Sequence, residues 1–224
     1  MSVIDKAGFT AMNKMVPEKQ FVLEMPPVET GGCSLLMVGS GRSGKTTMLK
    51  HLMDTYFQKH CGVIFSQSAK AEAYKNMKYP LMPLSSVYIP ELVNNAYKIN
   101  RETKNAYPFL FVLDDVPLAR NDKELMKTTT IYRNSGVSLI HAVQTPSLVS
   151  PTCRSNYTFF LLFHNNSSEQ SENVCKQFLR GYFPSSGWSM NRRIAWLQEA
   201  TKDHHFIFID NWNSTIQRCK LDLN

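Results

Sequence analysis

The sequence predicts an α/β fold, a doubly wound and mainly parallel sheet with a C-terminal β-hairpin. Three observations predict it. From residue 34 onward, short and almost wholly apolar runs alternate with helical patterns, as strands buried on both faces of a parallel sheet do. The first of these runs ends in a glycine-rich stretch that leads straight into a helical pattern. The last two runs flank Asn211-Trp212-Asn213, which reads as an antiparallel hairpin closing one edge of the sheet.

The elements follow in order. Residues 1–33 form an N-terminal arm or lead-in, punctuated by Pro17, Pro26, Pro27 and Gly31-Gly32. Phe21, Leu23 and Met25 alternate there, as in an edge strand or a packed arm. Residues 34–224 form the main domain, with a helical and hairpin extension at its C-terminal end. Ser34-Leu35-Leu36-Met37-Val38 is the first strand, and residues 45–59 the first helix. Residues 62–66 are a strand, 70–78 a short helix broken by Pro80 and Pro83, and 90–104 a helix with proline in its first turn. Residues 109–113 are the most apolar strand, 121–132 a helix, and 137–143 and 157–163 two further strands.

Composition narrows the class. Of 224 residues, 43% are hydrophobic and 19% charged, enough to bury one sizeable core. There are 25 Lys and Arg against 18 Asp and Glu, a net charge of +7, a sign that suits a polyanionic partner. Five widely spaced cysteines without a CxxC argue for free thiols in a reducing compartment. No signal peptide or transmembrane segment is expected. Met37, Met48 and Met53 read as core filler, and His204-His205 lack carboxylate or cysteine partners at ligand spacing.

Gly39-Ser40-Gly41-Arg42-Ser43-Gly44-Lys45-Thr46 is an unbroken G-x-x-x-x-G-K-T. Its glycines let successive N–H groups converge on phosphate oxygens, and the following helix, starting with Lys45, Thr46 and Thr47, adds its positive end. Lys45 is placed to meet the β- and γ-phosphates of ATP, and the Thr46 hydroxyl to ligate Mg²⁺. The apolar strand of residues 109–113 ends in Asp114-Asp115. A carboxylate there, beside the phosphate loop, suits Mg²⁺ at Asp114 and the attacking water at Asp115. Gln144 ends the strand of residues 137–143, where a carboxamide can donate to the γ-phosphate and accept from water. Arg133, just before that strand, is a candidate finger for the nucleotide of an adjacent subunit, with Arg154 as competitor. Arg180, Arg192, Arg193 and Lys176 form a basic group interleaved with Tyr182, Phe183 and Trp188, either a phosphate-binding surface or a solvated face over core aromatics.

The order of phosphate loop, acidic strand, arginine and glutamine strand resembles the additional-strand (RecA/FtsK-like) class of P-loop ATPases. Residues 133–146, Arg133 through Gln144 to Pro146, resemble the FtsK/HerA superfamily. Compact size and Arg154-Ser155-Asn156 make the chain most similar to the genome-packaging ATPases of nucleocytoplasmic large DNA viruses and virophages. The resemblance covers residues 33–165 and implies a DNA-translocating ATPase. Such an enzyme works as a homo-oligomeric ring, pentamer or hexamer, gripping double-stranded DNA largely without regard to sequence. Capsid or portal proteins would be further partners, and the host cytoplasm, the viral assembly site or the virion its location. Where many relatives carry glutamate as the second acid, this chain has Asp115. The rival readings are a small nucleoside or nucleotide kinase, with residues 180–193 as a basic lid, and a nucleotide-gated assembly switch.

Overall fold

The computed structural model describes residues 6–27, 31–66, 74, 84–184 and 187–221. One nine-stranded sheet organises them, in the order β1-β9-β8-β7-β2-β6-β5-β3-β4. The strands are β1 (Glu18–Gln20), β2 (Ser34–Val38), β3 (Cys61–Ser66), β4 (Leu84–Ser85), β5 (Phe109–Asp114), β6 (Val137–Val143), β7 (Phe159–Leu162), β8 (His205–Asp210) and β9 (Thr215–Lys220). Only β8 runs against the others, pairing antiparallel with both β7 and β9. The expected mixed but mainly parallel architecture is present. The acidic strand β5 does not touch the phosphate-loop strand β2, because β6 is inserted between them.

Alternation along each central strand feeds two cores. Leu35 and Met37 face α2 (Lys45–Thr55), whose Met48, Leu49, Leu52 and Met53 are buried against them. Leu36 and Val38 face the opposite layer. There α1 (Lys6–Met15), α3 (Pro90–Glu102), α4 (Lys123–Thr130), α6 (Ser168–Gln177) and α7 (Met190–Ala200) bury their apolar stripes. The short α5 (Pro151–Ser155) contributes Cys153. Helices thus cover both faces, as a doubly wound sheet requires.

Several boundaries differ from those the sequence suggests. The first helix ends at Thr55, short of residue 59, and the helix expected over 121–132 is α4 followed by a 3₁₀ turn at Tyr132–Ser135. The helix expected over 70–78 lies outside the described residues except for Tyr74. The lead-in contains a helix, α1, that its sparse periodicity conceals. Its strand is Glu18–Gln20, earlier than the Phe21, Leu23, Met25 alternation. Phe21 and Leu23 are buried instead as side chains packed beside the hairpin, with the Phe21 ring 5.4 Å from Phe206 and 5.2 Å from Phe208. The hairpin is therefore not the sheet's edge, since β1 adds outside β9, and Glu18 accepts from Arg218 Nη1 at 2.8 Å.

Candidate active site

The site lies where β2, β5 and β6 end. The register sets Val38 beside Val143 and Asp114 beside Ala142, so the three C-termini finish nearly level. Chain reversals there leave a crevice, the place where open α/β sheets hold ligands. Two backbone bonds tie the crevice together: Gly39 donates to the Val143 carbonyl at 3.2 Å, and Asp115 to the Ala142 carbonyl at 3.1 Å.

The phosphate loop bridges β2 and α2. Gly44, at φ 101°, caps the helix in the left-handed region, where a Cβ is strained. Lys45 is 6% exposed, and its ammonium donates to the carbonyls of Gly39 at 2.6 Å and Ser40 at 3.0 Å. Burial pulls its pKa below the ordinary lysine value, while the carboxylates of Asp115 and Asp114 push it up.

Asp114 is buried and accepts hydrogen bonds from the hydroxyls of Tyr74 and, at 3.4 Å, Ser66. Burial raises its carboxyl pKa. The Tyr74 hydrogen bond opposes that, Asp115 adds repulsion, and Lys45 and Ser66 offset it. Asp115 is exposed, with a backbone φ of 51°. A non-glycine residue there costs on the order of 1 kcal/mol and persists only where neighbours hold it. Here the Ala142 carbonyl holds the backbone and Gln144 Nε2 donates to Asp115 Oδ2 at 3.1 Å. The inserted strand β6 is what carries Gln144 to the acid pair.

A cavity of about 370 Å³ runs from the loop residues Gly41, Arg42, Ser43, Gly44, Lys45, Thr46 and Thr47, past Asp114 and Asp115, to a wall of Met48, Phe163, Phe206 and Leu221. One end is rich in N–H donors and charge, the other apolar and aromatic. That suits a ligand with a polyphosphate at one end and a planar base at the other. The structure thus brings together Lys45, Thr46, Asp114, Asp115 and Gln144.

The arginines lie elsewhere. Arg133 precedes β6, whose seven residues span roughly 23 Å, so it sits at the opposite end of the central strands from the cavity. Its Nη1 donates to the Asn156 carbonyl at 3.0 Å and to Thr158 Oγ1 at 3.4 Å. Arg154 donates to the carbonyls of Val149 and Pro146, on the loop that follows Gln144. Arg192 lies 4.6 Å over the Trp188 ring and Arg193 5.1 Å over Phe183, each also bound to a nearby carbonyl. Those two guanidinium groups brace α7 and line no part of the cavity.

Sequence reasoning missed Tyr74, Ser66, Gln170 and the Phe163, Phe206, Leu221 wall. Tyr74 is 40 residues from Asp114, and Gln170 is 130 residues from its partner Ser40. Neither sits in a motif, and no local signal marks them.

Fold and site together define a P-loop NTPase of the additional-strand class. Within it, the Poxvirus A32 protein family matches residues 29–211, and the chain belongs to that family. The "Uncharacterized protein 015R" of Frog virus 3 (isolate Goorha) is 22% identical over 202 residues, covering 84% of this chain. The chain spans 59% of that relative's length. Among solved structures, the genome packaging NTPase B204 of Sulfolobus turreted icosahedral virus 2, in complex with sulfate, superposes with a TM-score of 0.61. Its identity is 15%, over 87% of this chain and 98% of that one. The same NTPase with ATP-gammaS gives 0.57 at 12% identity, over 84% and 96%. The pCW3 conjugation coupling protein TcpA with ATPgS gives 0.53 at 14%, over 94% and 69%. At such identities the likeness speaks for the fold.

Proposed function

We propose that this protein is the ATP-hydrolysing motor that drives double-stranded DNA into a viral capsid. The observation that carries the reading is one cavity lined by the phosphate loop and both acids, with Gln144 bound to the second acid. Membership of the A32 family and the packaging-NTPase fold add the biological setting.

In this reading residues 39–47 wrap the phosphates of ATP, and Lys45 exchanges the Gly39 and Ser40 carbonyls for β- and γ-phosphate oxygens. The apolar wall takes the base. The oxygen donors of Thr46 and Asp114 fit magnesium, which prefers one or two protein oxygens completed by substrate phosphates and water. Asp114 Oδ2 is engaged by Tyr74 and Ser66, and among the described residues no hydrogen bond is made to the other oxygen, which would face that ion. Magnesium would supply charge neutralisation on the phosphates. Asp115, steadied by Gln144, accepts a proton from water as the water oxygen bonds to the γ-phosphorus and the bond to the bridging oxygen breaks. Gln144 senses the γ-phosphate.

Residues 34–224 act as the ATPase unit, with 1–33 as an N-terminal arm whose β1 pairs on the sheet's outer edge. Units assemble as a ring of five or six around DNA, gripping phosphates through the net positive charge. Arg133 is the trans finger in this scheme. The distance across β6 keeps it from its own cavity, so only another copy's nucleotide is within its use. Arg154 remains the competing candidate. Capsid or portal proteins dock the ring at the viral assembly site in the host cytoplasm. Among the described residues, no helix is long and apolar enough to cross a membrane. Against the kinase reading, two arginines of the lid at residues 180–193, Arg192 and Arg193, are engaged with Trp188 and Phe183.

The test is phosphate release titrated with duplex DNA. ATP hydrolysis that rises with DNA, and is lost in Lys45→Ala, is expected. Phosphate transfer to a nucleoside, or nucleotide binding without turnover even with DNA, would overturn the motor reading.

A further inference from the structure

The first turn of α6 approaches the phosphate loop on one side and the loop after Gln144 on the other. Ser167 caps this helix, its hydroxyl accepting from the Gln170 N–H at 3.5 Å, so the Gln170 backbone is fixed. The Gln170 side chain is half-buried and spans two loops. Its Oε1 accepts from Ser40 Oγ at 3.1 Å, and its Nε2 is 3.5 Å from Thr145 Oγ1. Ser40 is the second residue of the phosphate loop and is 8% exposed. Its hydroxyl also accepts from the Asn166 N–H at 3.0 Å, and its own N–H donates to the His164 carbonyl at 3.1 Å. Thr145 follows Gln144, the residue that holds Asp115.

From this geometry we infer that Gln170 is a positioning residue that couples the phosphate loop to residues 144–150. It does so by holding Ser40 and Thr145 with one carboxamide. The inference rests on the ATPase reading and extends it to how the site registers its nucleotide.

The coupling has a defined origin. Lys45 donates to the Ser40 carbonyl at 3.0 Å. Phosphate oxygens compete for the same ammonium, so phosphate binding changes the bonding of the Ser40 peptide. A ligand shifts a second element only through such a difference in contacts. The Ser40 hydroxyl is the side-chain exit for that difference, and Gln170 receives it. At the far end the Thr145 hydroxyl sets the residue that steadies Asp115. The Pro146 and Val149 carbonyls of the same loop hold Arg154, so the loop moves with its arginine. Gln170 does not itself line the cavity; it reaches the site only through Ser40 and Thr145. Its effect therefore falls on turnover rather than on nucleotide affinity.

Gln170→Met keeps the side-chain length and removes both hydrogen bonds, and Thr145→Val removes the far partner. Each should lower kcat about tenfold with KM within about twofold, as a misplaced catalytic group does. The double variant should be no slower than either single one, because both break one link. Thr145→Ser should restore most of the rate lost in Thr145→Val. A second readout is independent of hydrolysis. Backbone hydrogen exchange of residues 145–150 should change on adding the non-hydrolysable analogue AMPPCP to the wild-type protein. In Gln170→Met that change should vanish although AMPPCP still binds. Unchanged kcat in Gln170→Met, rate losses that multiply in the double variant, or an exchange response that is absent in the wild type or survives in Gln170→Met would each overturn the inference. A wild-type protein with no ATPase activity would instead sink the functional reading, and the exchange comparison would still decide the Gln170 link.

Discussion

Asp115 combines a short acidic side chain with a backbone at φ 51°, and the Gln144 carboxamide holds its Oδ2 at 3.1 Å. Asp115→Asn keeps the shape and removes the carboxylate proposed to accept the proton. It should bind ATP and magnesium as the wild type does and hydrolyse ATP at least ~100-fold more slowly, since general bases are worth about that much. Single-turnover kinetics beside a nucleotide-binding titration check it, and normal turnover would reassign the base. Asp114→Asn should weaken magnesium-dependent binding as well. A second residue sets the acid limit of stability. His141 is buried in β6, its Nδ1 2.8 Å from the Tyr157 hydroxyl, and burial pulls its pKa down to about 4 from the ordinary 6.5. The unfolded chain then binds the proton first as pH falls. The stability of the neutral buried ring is full above pH 6.5 and is lost between 6.5 and 4, on the order of 3 kcal/mol. Urea midpoints across that window should fall more steeply for the wild type than for His141→Gln. Cys33, Cys175 and Cys219 offer no comparable switch, because burial pushes their thiols up to about 12 and keeps them inert.

Among the elements, β6 decides the site, and the lead-in straps its start. Gly32 donates to the Arg133 carbonyl at 2.6 Å. A Cβ on Gly32 would lie 2.5 Å from the Val137 carbonyl carbon and oxygen and 2.7 Å from the Ser138 nitrogen. All three are backbone atoms that cannot rotate away. Gly32→Ala should therefore destabilise the protein by about 2 kcal/mol or more. Thermal and urea unfolding measure it, and a loss below about 0.5 kcal/mol would show that the strap yields. Sequence reasoning located β2, β5, β6 and the β8–β9 hairpin well, because buried strands are written as contiguous apolar runs. For the lead-in it offered an edge strand or a packed arm, and the arm is what Phe21 and Leu23 form. Phe21 and Leu23 alternate like a strand, yet they alternate because they pack beside β8, while the hydrogen-bonded residues Glu18, Lys19 and Gln20 are polar and exposed. An edge strand's pairing depends on which neighbour offers free backbone groups, and Arg218, whose N–H donates to the Pro17 carbonyl at 2.9 Å, does so only once the hairpin is built.

At the scale of the whole molecule, the phosphate cavity and Arg133 lie at opposite ends of the central strands of one sheet. That polarity fits head-to-tail assembly, in which one copy's arginine end meets the next copy's cavity. Lys45→Ala and Arg133→Ala should each be nearly inactive. Co-expressed, they should regain part of the activity, because some interfaces then pair an intact loop with an intact arginine. Arg133 also holds Asn156 and Thr158 in its own chain, so the unfolding temperature of Arg133→Ala must be measured alongside. Rescue with Arg154→Ala but not Arg133→Ala would move the finger to Arg154. No rescue with either, in a protein that stays monomeric with ATP and DNA, would remove the ring. DNA binding by the assembled protein should fall steeply with salt and differ little among unrelated duplexes, as counterion release dictates.

The sequence alone determined the phosphate-binding half of this protein. A loop of eight consecutive residues with a strand before it and a helix after it carries its own geometry, and an apolar strand ending in two aspartates carries the acid pair. Tertiary structure decided the rest. The Tyr74 bond to Asp114, the Gln170 bridge from Ser40 to Thr145, the aromatic wall from Phe163, Phe206 and Leu221, and the pairing of β1 with β9 join residues far apart in the chain. Local periodicity reports which face of an element is apolar. Which elements become neighbours, and in what register, follows from the competition of all strands for one sheet, and that competition is settled only in the folded molecule.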